Sequence, residues 1–260
     1  MKQPPVVAVI PARYASTRLP GKPLISLCGK PMIQWVYESA LRIPQVQRVL
    51  VATDDQRILE TVQGFGGEAH LTPADIATGS ERVGFLAKDI PAEIVVNLQG
   101  DEPLVDAPAV GKVVDTLLAH PEIPLGTLGC SLHSEAEWRN PSVVKLLVDH
   151  NMNAIYFSRA AIPYPRDEDF RPLPRLLRHI GVYVYRKTFL LEYLQWAEGD
   201  LERVEKLEQL RVLEKGYKIK VVKAAKPSPG VDTPEDVKRV EALIKSGGSE
   251  SGELRDTIQH

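Results

Sequence analysis

Three cations stand within ten residues of one another in the segment 11–23, PARYASTRLPGKP. They are Arg13, Arg18 and Lys22, and hydroxyl and glycine residues lie among them. Guanidinium forks match phosphate oxygens and an ammonium supplies a compact charge, so a loop of this kind can cradle a triphosphate. It is not a Walker A loop, because its sequence does not follow the G-K-[ST] pattern. The later pair Gly29-Lys30 does not follow the pattern either, since a proline comes next. A solvated basic loop is the alternative interpretation.

Two acidic segments could hold a divalent cation beside such phosphates. Gln99-Gly100-Asp101-Glu102-Pro103 directly follows the apolar run IVVNL, and Asp232 precedes the helix opening TPED. Mg²⁺ is normally bound by one or two carboxylates together with substrate oxygens, so Asp101 is predicted to hold Mg²⁺. An acidic turn after a strand is an equally good account of Asp101 alone. Asp232 alone is an ordinary residue before a helix that Thr233 caps.

Two further signals are weak by themselves. The stretch Thr78 to Arg82 reads TGSER, and His179 stands at the start of a strand-like run. A lone histidine is more often a satisfied structural residue than a functional one.

The elements that must position these residues alternate between strand and helix in the first half of the chain. Short β-branched runs bounded by polar residues predict buried parallel strands, and apolar positions at i, i+3, i+4 predict the helices between them. The predicted strands are Val6–Ile10, Arg48–Thr53 and Ile94–Leu98, and the predicted helices are Pro31–Arg42, Asp54–Phe65 and Pro108–Ala119. This order indicates an α/β sandwich with a mainly parallel sheet, whose ligand site lies at the carboxyl ends of the strands.

The rhythm changes after about residue 125. Strand-like runs then follow one another without full helices between them, which predicts an antiparallel insertion over about residues 125–200. We expect one domain over residues 1–245 and a flexible tail over 246–260, because that tail is rich in Gly and Ser. The predicted elements are strands Val143–Val148, Ala154–Phe157 and His179–Tyr185, then helix Leu201–Glu214, strand Lys218–Val222 and helix Pro234–Lys245.

Composition limits the classes of function. The 260 residues carry 32 Lys and Arg against 34 Asp and Glu, a net charge of -2, so no overall positive field gathers nucleic acid or acidic lipid. The two cysteines, Cys28 and Cys130, lie far apart, which argues against a disulfide framework. The amino-terminal apolar run is too short for a signal-peptide core. We therefore expect a cytoplasmic protein with no nucleic-acid or membrane partner.

Taken together, the motifs resemble those of the 3-deoxy-manno-octulosonate (Kdo) cytidylyltransferases over roughly residues 5–245. The first half shares its phosphate motifs with acylneuraminate cytidylyltransferases and sugar-nucleotide pyrophosphorylases, whereas the second half is specific for the sugar. The motifs are PARYASTRLPGKPL, GKPMIQWVYE, VATDD, TGSER, VNLQGDEPL, NPSVVKLL, YFSRAAIPYPRD, HIGVYVYR, KLEQLRVLEKGYKIKV and GVDTPEDVKRV.

The resemblance implies a fold like that of the nucleotide-diphospho-sugar transferases, a homodimer, and transfer of CMP from CTP to Kdo with Mg²⁺ for lipopolysaccharide biosynthesis. It gives Lys22, Asp101 and Asp232 the catalytic role, with the two acids as metal ligands. It assigns the nucleotide to Arg13, Arg18, Lys22 and Ser80. It assigns the acid sugar to Gln99, Arg159, His179, Glu208 and Gln209.

The chain departs from the family pattern at Ile76-Ala77, where polar residues are usual, so contacts to the base are open there. Three alternatives also remain: an 8-amino-Kdo substrate, another acidic sugar such as a sialic acid, and an inactive nucleotide-sensing relative. Retention of the phosphate cations and both acids argues against the last of these.

Overall fold

The computed structural model of the chain describes residues 5–15, 19–166 and 169–250. Of residues 247–250 it describes the backbone alone. A search of this described part finds no helix long and apolar enough to cross a membrane.

The first half of the chain alternates strand and helix, as predicted. A 3₁₀ turn (Lys22–Leu24) and a small hairpin stand between the first strand and the first helix. In chain order the elements are β1 (Val6–Ala12), β2 (Ser26–Leu27), β3 (Lys30–Pro31), α1 (Met32–Leu41), β4 (Arg48–Thr53), α2 (Gln56–Gly64), β5 (Ala69–Leu71), α3 (Gly79–Ala87), β6 (Ile94–Asn97) and α4 (Ala107–Ala119).

The second half is richer in antiparallel strands and in short helices. Its elements are β7 (Leu125–Ser131), α5 (Glu135–Arg139), β8 (Lys145–Val148), β9 (Ala154–Ser158), β10 (Leu176–Arg186), α6 (Lys187–Tyr193), α7 (Asp200–Glu205), α8 (Leu210–Glu214), β11 (Ile219–Lys223) and α9 (Pro234–Glu250).

One large sheet organises the molecule. Its strand order is β11-β7-β10-β6-β1-β4-β5, and β8 adds to β10 and carries β9. The pairs β6-β1, β1-β4, β4-β5 and β11-β7 are parallel, whereas β10 runs antiparallel to β6, β7 and β8. The predicted mainly parallel sheet with an antiparallel portion is therefore confirmed.

Alternate residues of the central strands pack into two hydrophobic cores, one on each face of the sheet. In β1, Ala8 and Ile10 pack with residues of α1, α2 and α4, whereas Val7 and Val9 pack with residues of α3, α6 and α8. Because both faces of a central strand are covered, its sequence is a continuous apolar run rather than an alternating one. This layering keeps the carboxyl ends of β1 and β6 side by side, where the functional loops begin.

Three features differ from the sequence predictions. The single helix predicted over Leu201–Glu214 is wrong: Lys206 adopts a left-handed backbone with φ of 53°, which ends α7 and separates it from α8. The last helix continues beyond Lys245 to Glu250, so residues 246–250 are helical rather than part of the predicted tail, and 251–260 lie outside the described residues. His179 lies inside β10 rather than at the start of a strand.

Strand β7 was not predicted, and its packing gives the reason. Its sequence LGTLGCS contains two glycines, which weaken a strand pattern. A Cβ at Gly126 would collide with Val113 of α4, so the close approach of helix and strand requires glycine there.

Candidate active site

The basic loop leaves β1 at its carboxyl end and turns back at Gly21. Gly21 has φ of 68° and donates its N–H to the carbonyl of Tyr14 at 3.1 Å, which closes the turn. Arg13 donates from Nη2 to the carbonyl of Ala77, which ties the loop to the segment before α3. Arg18 lies outside the described residues. Ala77, at the position where the chain departs from the family pattern, therefore acts through its main chain.

Lys22 joins the two acidic segments that the sequence analysis singled out. Its Nζ donates to Asp101 Oδ2 at 2.7 Å and to Asp232 Oδ1 at 2.8 Å. Burial acts to lower the pKa of Lys22, but the two neighbouring carboxylates outweigh it and hold the pKa above its ordinary value. The ammonium therefore remains charged between the two acids.

The fold brings Asp101 and Asp232 together through a main-chain bond. The N–H of Val231 donates to the carbonyl of Asp101 at 2.9 Å, so the segment before α9 lies against the turn after β6. Thr233 and Asp236 then cap α9 reciprocally: Asp236 Oδ2 accepts from the N–H of Thr233 at 3.0 Å, and Thr233 Oγ1 accepts from the N–H of Asp236 at 3.3 Å. The predicted cap at Thr233 is confirmed.

The donor set around Lys22 fits a small divalent cation. The two carboxylates converge on one point of positive charge, and their side chains are 36% and 40% exposed, so both lie at the surface of the site. Within the described ranges no cluster of three or more His, Cys, Asp or Glu side chains could enclose a metal ion. Two hard carboxylates with room for phosphate oxygens suit Mg²⁺, which binds few protein ligands and keeps substrate oxygens or water.

The second acid of the same turn behaves differently. Glu102 turns toward β10, where its Oε1 lies 3.2 Å from the position that a Cβ on Gly181 would occupy. Burial, with the added charge of Asp101, raises the pKa of Glu102 to about 8. The turn thus presents the carboxylate of Asp101 to Lys22, whereas the Glu102 carboxyl is mostly protonated near neutral pH.

Helix α3 begins at the same edge of the sheet. Thr78 and Glu81 form a capping box, which gives the TGSER stretch a structural reason that the sequence analysis did not see. Gly79 lies against Pro11: a Cβ there would stand 3.3 Å from the proline Cγ. The start of α3 therefore closes on the end of β1, and Ser80 is buried behind it.

A fully buried arginine holds the segment before α3. Arg82 is 0% exposed and pairs with Asp54 at 3.0 Å, while its Nη1 bonds Thr72 Oγ1 and the carbonyl of Pro73. Burial lowers the pKa of Arg82, and Asp54 acts in the opposite direction. Asp54, the first acid of VATDD, is therefore the partner of this buried cation, whereas Asp55 caps α2.

Two cavities of about 350 Å³ each lie along this edge. Arg13, Lys22 and Asp101 line the first cavity. Both cavities are lined by Gln99 and Gly79. The predicted sugar-binding residues all line the second: Gln99, Arg159, His179, Glu208 and Gln209. The sequence analysis missed Tyr183 and Lys206, which also line the second cavity. Tyr183 stands four residues after His179 in β10, so the strand's alternation could have indicated it.

Arg159 is held by the break between α7 and α8. Its Nε donates to the carbonyl of Glu205 at 2.8 Å and its Nη1 to that of Pro141 at 3.1 Å. The main-chain N–H of Arg159 donates to Glu205 Oε2 at 2.9 Å. These bonds leave part of the guanidinium for a ligand in the cavity, because the group has five N–H donors.

Glu208 and Gln209 lie in the same break. Burial raises the pKa of Glu208, although a hydrogen bond with Ser80 acts to lower it. Gln209 is buried, and among the described residues its Nε2 has no hydrogen-bond partner. An unsatisfied buried donor is costly, so Gln209 is suited to a ligand that accepts a hydrogen bond.

His179 is neutral in this site. Burial lowers its pKa to about 3, and the ring packs edge-on against Phe157 with 5.0 Å between ring centroids. Nε2 lies 3.0 Å from Thr127 Oγ1. The imidazole can therefore exchange hydrogen bonds with a ligand but contributes no positive charge near neutral pH.

Comparisons with known proteins agree with this geometry. A family profile described as cytidylyltransferase matches residues 7–219. The 3-deoxy-manno-octulosonate cytidylyltransferase of Syntrophotalea carbinolica is 51% identical over 246 residues, which cover 92% of this chain and 98% of that protein. The 8-amino-3,8-dideoxy-manno-octulosonate cytidylyltransferase of Shewanella halifaxensis is 46% identical over 92% of this chain and 98% of its own.

Solved structures give the same result. CMP:2-keto-3-deoxy-manno-octonic acid synthetase, complexed with CTP, superposes with a TM-score of 0.88 at 43% identity and covers 94% of this chain and 99% of that chain. A nucleotidyl transferase from Methanothermobacter thermautotroptrophicus shares the fold alone, with a TM-score of 0.64 at 15% identity over 93% of this chain and 98% of its own.

Proposed function

This chain belongs to the cytidylyltransferase family, and on that premise we propose that it transfers CMP from CTP to the anomeric hydroxyl of Kdo and releases pyrophosphate. The family match and the 51% identical relative support this activity. Kdo is a sugar of lipopolysaccharide, so the reaction activates it for lipopolysaccharide biosynthesis.

The observation that carries the proposal is the pair of adjoining cavities with Gln99 and Gly79 between them. One cavity has the cations and acid that suit a nucleoside triphosphate, and the other has the arginine, amide and carboxyl groups that suit a polyhydroxylated acid. Two ligands, one bound in each cavity, would meet beside Gln99. Such a site needs positioning and charge neutralisation more than a nucleophilic side chain.

In this proposal Arg13, Arg18 and Lys22 bind the phosphates. Ser80, which the structure places in the lining of the second cavity, would contact the nucleotide from that side. The sugar hydroxyl attacks the α-phosphorus in line, an O–P bond forms, and the bond to the pyrophosphate oxygen breaks. Lys22 stays protonated beside the phosphates because both acids raise its pKa.

Asp101 and Asp232 would hold Mg²⁺, as their convergence on Lys22 Nζ supports. A bound Mg²⁺ supplies charge neutralisation for the phosphate oxygens. Because the ammonium now lies between these two carboxylates, we expect it to turn toward the phosphates when the substrates and the cation are present.

At the sugar end, Arg159 would pair with the carboxylate of Kdo, since its guanidinium retains N–H groups beyond those bonded to Glu205, Pro141 and Lys206. Gln99, His179, Glu208 and Gln209 would hold the sugar hydroxyls. Protonation of Glu208 would make it a donor as well as an acceptor, and burial raises its pKa in that direction.

A pyrophosphate-release assay tests the proposal. CTP, UTP and ATP are each combined with Kdo, 8-amino-Kdo and a sialic acid, with and without Mg²⁺. We expect release with CTP, Kdo and Mg²⁺ together and little with UTP or ATP. Equal rates with UTP would refute the CTP assignment, and faster release with 8-amino-Kdo would assign the chain to the activity named for its 46% identical relative.

We also propose that the enzyme is a cytoplasmic homodimer. The family resemblance supports both points. Light scattering coupled to size exclusion measures the molecular mass directly, and a mass near 28.8 kDa would be that of a single chain and would contradict the dimer.

A further inference from the structure

Thr127 faces an irregular point in β10. The register between β7 and β10 shifts between Ile180 and Tyr183. Thr127 Oγ1 lies 2.7 Å from the carbonyl of Val182 and 3.3 Å from that of Ile180. It also lies 3.0 Å from His179 Nε2, and Thr127 is 0% exposed. One buried hydroxyl therefore meets three hydrogen-bonding groups on the same strand.

The hydroxyl has a single proton, and the carbonyls decide where it goes. A carbonyl oxygen only accepts hydrogen bonds. If the proton pointed to His179, the oxygen lone pairs of Thr127 would face the carbonyls of Ile180 and Val182 in a buried setting, which is unfavourable. The proton therefore points to Val182, the nearer carbonyl, and Thr127 Oγ1 accepts from His179.

This arrangement selects one tautomer of the imidazole. Nε2 must carry the proton that it donates to Thr127, so Nδ1 of the neutral ring carries a lone pair. Among the described residues Nδ1 has no hydrogen-bond partner, and His179 lines the same cavity as Arg159 and Glu208. Burial lowers the pKa of His179 to about 3, so Nδ1 remains unprotonated near neutral pH.

We propose that Thr127 is a positioning residue that fixes His179 as the Nε2–H tautomer and thereby offers Nδ1 as an acceptor to a hydroxyl group of the acid sugar. This role rests on the proposed function, because it takes the second cavity as the sugar site. Thr127 itself lines neither cavity and acts through the histidine.

Steady-state kinetics of Thr127 variants test the proposal. Thr127→Val keeps the shape of the side chain but removes the acceptor, so we expect the KM for Kdo to rise about tenfold while the KM for CTP stays within about twofold. Thr127→Ser keeps the hydroxyl and should behave like the unmodified enzyme. Thr53→Val is a matched control, because Thr53 is also a fully buried strand threonine, but its hydroxyl accepts from the N–H of Asp55 and not from a residue that lines the second cavity.

A merely structural role would lower the melting temperature of Thr127→Val without changing the KM for Kdo of the folded fraction. An unchanged KM would therefore overturn the proposal. If the valine variant fails to fold, Thr127→Ala is measured with the same expectation and the same refuting result.

Nitrogen-15 NMR of the histidine side chains gives a readout independent of turnover. The His179 signals are assigned by their loss in His179→Gln. We expect a protonated Nε2 and an unprotonated Nδ1 in the unmodified protein, and a mixture of tautomers in Thr127→Val. A protonated Nδ1 in the unmodified protein would overturn the role of Thr127 whatever the substrate is. Absence of pyrophosphate release with Kdo would instead count against the proposed function.

Discussion

The half-buried His179 should make the stability of this protein depend on pH in a definite direction. The pKa of His179 falls from 6.5 to about 3 on folding, because burial disfavours the imidazolium. Between these two values the unfolded chain binds a proton that the folded chain does not. The free energy of unfolding therefore rises with pH across this window. As the pH falls below about 6.5, the stability that the neutral histidine contributes is progressively lost.

The size of the effect follows from the same two values. Each pH unit below the pKa of the unfolded histidine costs about 1.4 kcal/mol until the folded pKa is reached. At about pH 5, which is roughly 1.5 units below the unfolded value, His179 should lower the free energy of unfolding by about 2 kcal/mol. That is a large part of the stability of an ordinary domain.

His179→Gln isolates this contribution. The variant loses the contact with Phe157 and the bond with Thr127, so we expect it to be less stable than the unmodified protein at about pH 7.5. At about pH 5 the difference should shrink by about 2 kcal/mol, because glutamine has no proton to gain. Urea unfolding followed by tryptophan fluorescence at the two pH values measures both differences.

His133→Gln is the matched control, because His133 is exposed in the loop before α5. It should keep the pH dependence of the unmodified protein. If His179→Gln and the unmodified protein differ by the same free energy at both pH values, His179 does not stay neutral on folding and the reasoning is refuted.

The remaining predictions concern turnover. Asp101→Asn and Asp232→Asn should each lower kcat by about a hundredfold or more, and the losses should be non-additive in the double variant, because removal of either acid already weakens binding of the shared metal. Fully multiplicative losses, or an Asp232→Asn enzyme with normal activity at saturating Mg²⁺, would contradict this. Arg159→Ala should raise the KM for Kdo by about 30-fold to 1,000-fold, the equivalent of about 2 to 4 kcal/mol for a lost charge pair, and leave the KM for CTP nearly unchanged; weaker CTP binding instead would contradict the sugar assignment. Gly100→Ala should lower both kcat and thermal stability, because its Cβ would stand 2.8 Å from the carbonyl of Pro11; a normal melting temperature would show that the turn adjusts freely.

The sequence predicts the parallel half of this fold well because burial there is simple. Strands β1, β4 and β6 are covered on both faces, so their residues form short continuous apolar runs that are easily recognised. Gly126 of β7 misleads, since it is needed for the close approach of α4 and not for strand formation. Local patterns reflect such tertiary demands poorly.

The candidate site also has a part that the sequence predicts and a part that it does not. The charged residues of the basic loop and the two acidic segments stand out by type, and the structure brings Lys22, Asp101 and Asp232 together. The bond between Val231 and Asp101 that joins them is a main-chain contact. Side-chain types do not encode it, so spacing along the chain could not predict it.

The break between α7 and α8 shows why the sugar half was harder to derive. The residue pattern over 201–214 fits a continuous helix. In a continuous helix, Glu208 and Gln209 would be ordinary helical positions with nothing to mark them as site residues. Lys206 instead takes the left-handed conformation, an unfavourable choice for a lysine of about 1 kcal/mol or more. Arg159 compensates for the break, because its guanidinium binds the carbonyls that α7 leaves unpaired at Glu205 and Lys206. The same arginine is the proposed partner of the sugar carboxylate, so under this proposal the residue that stabilises the break would also bind the sugar.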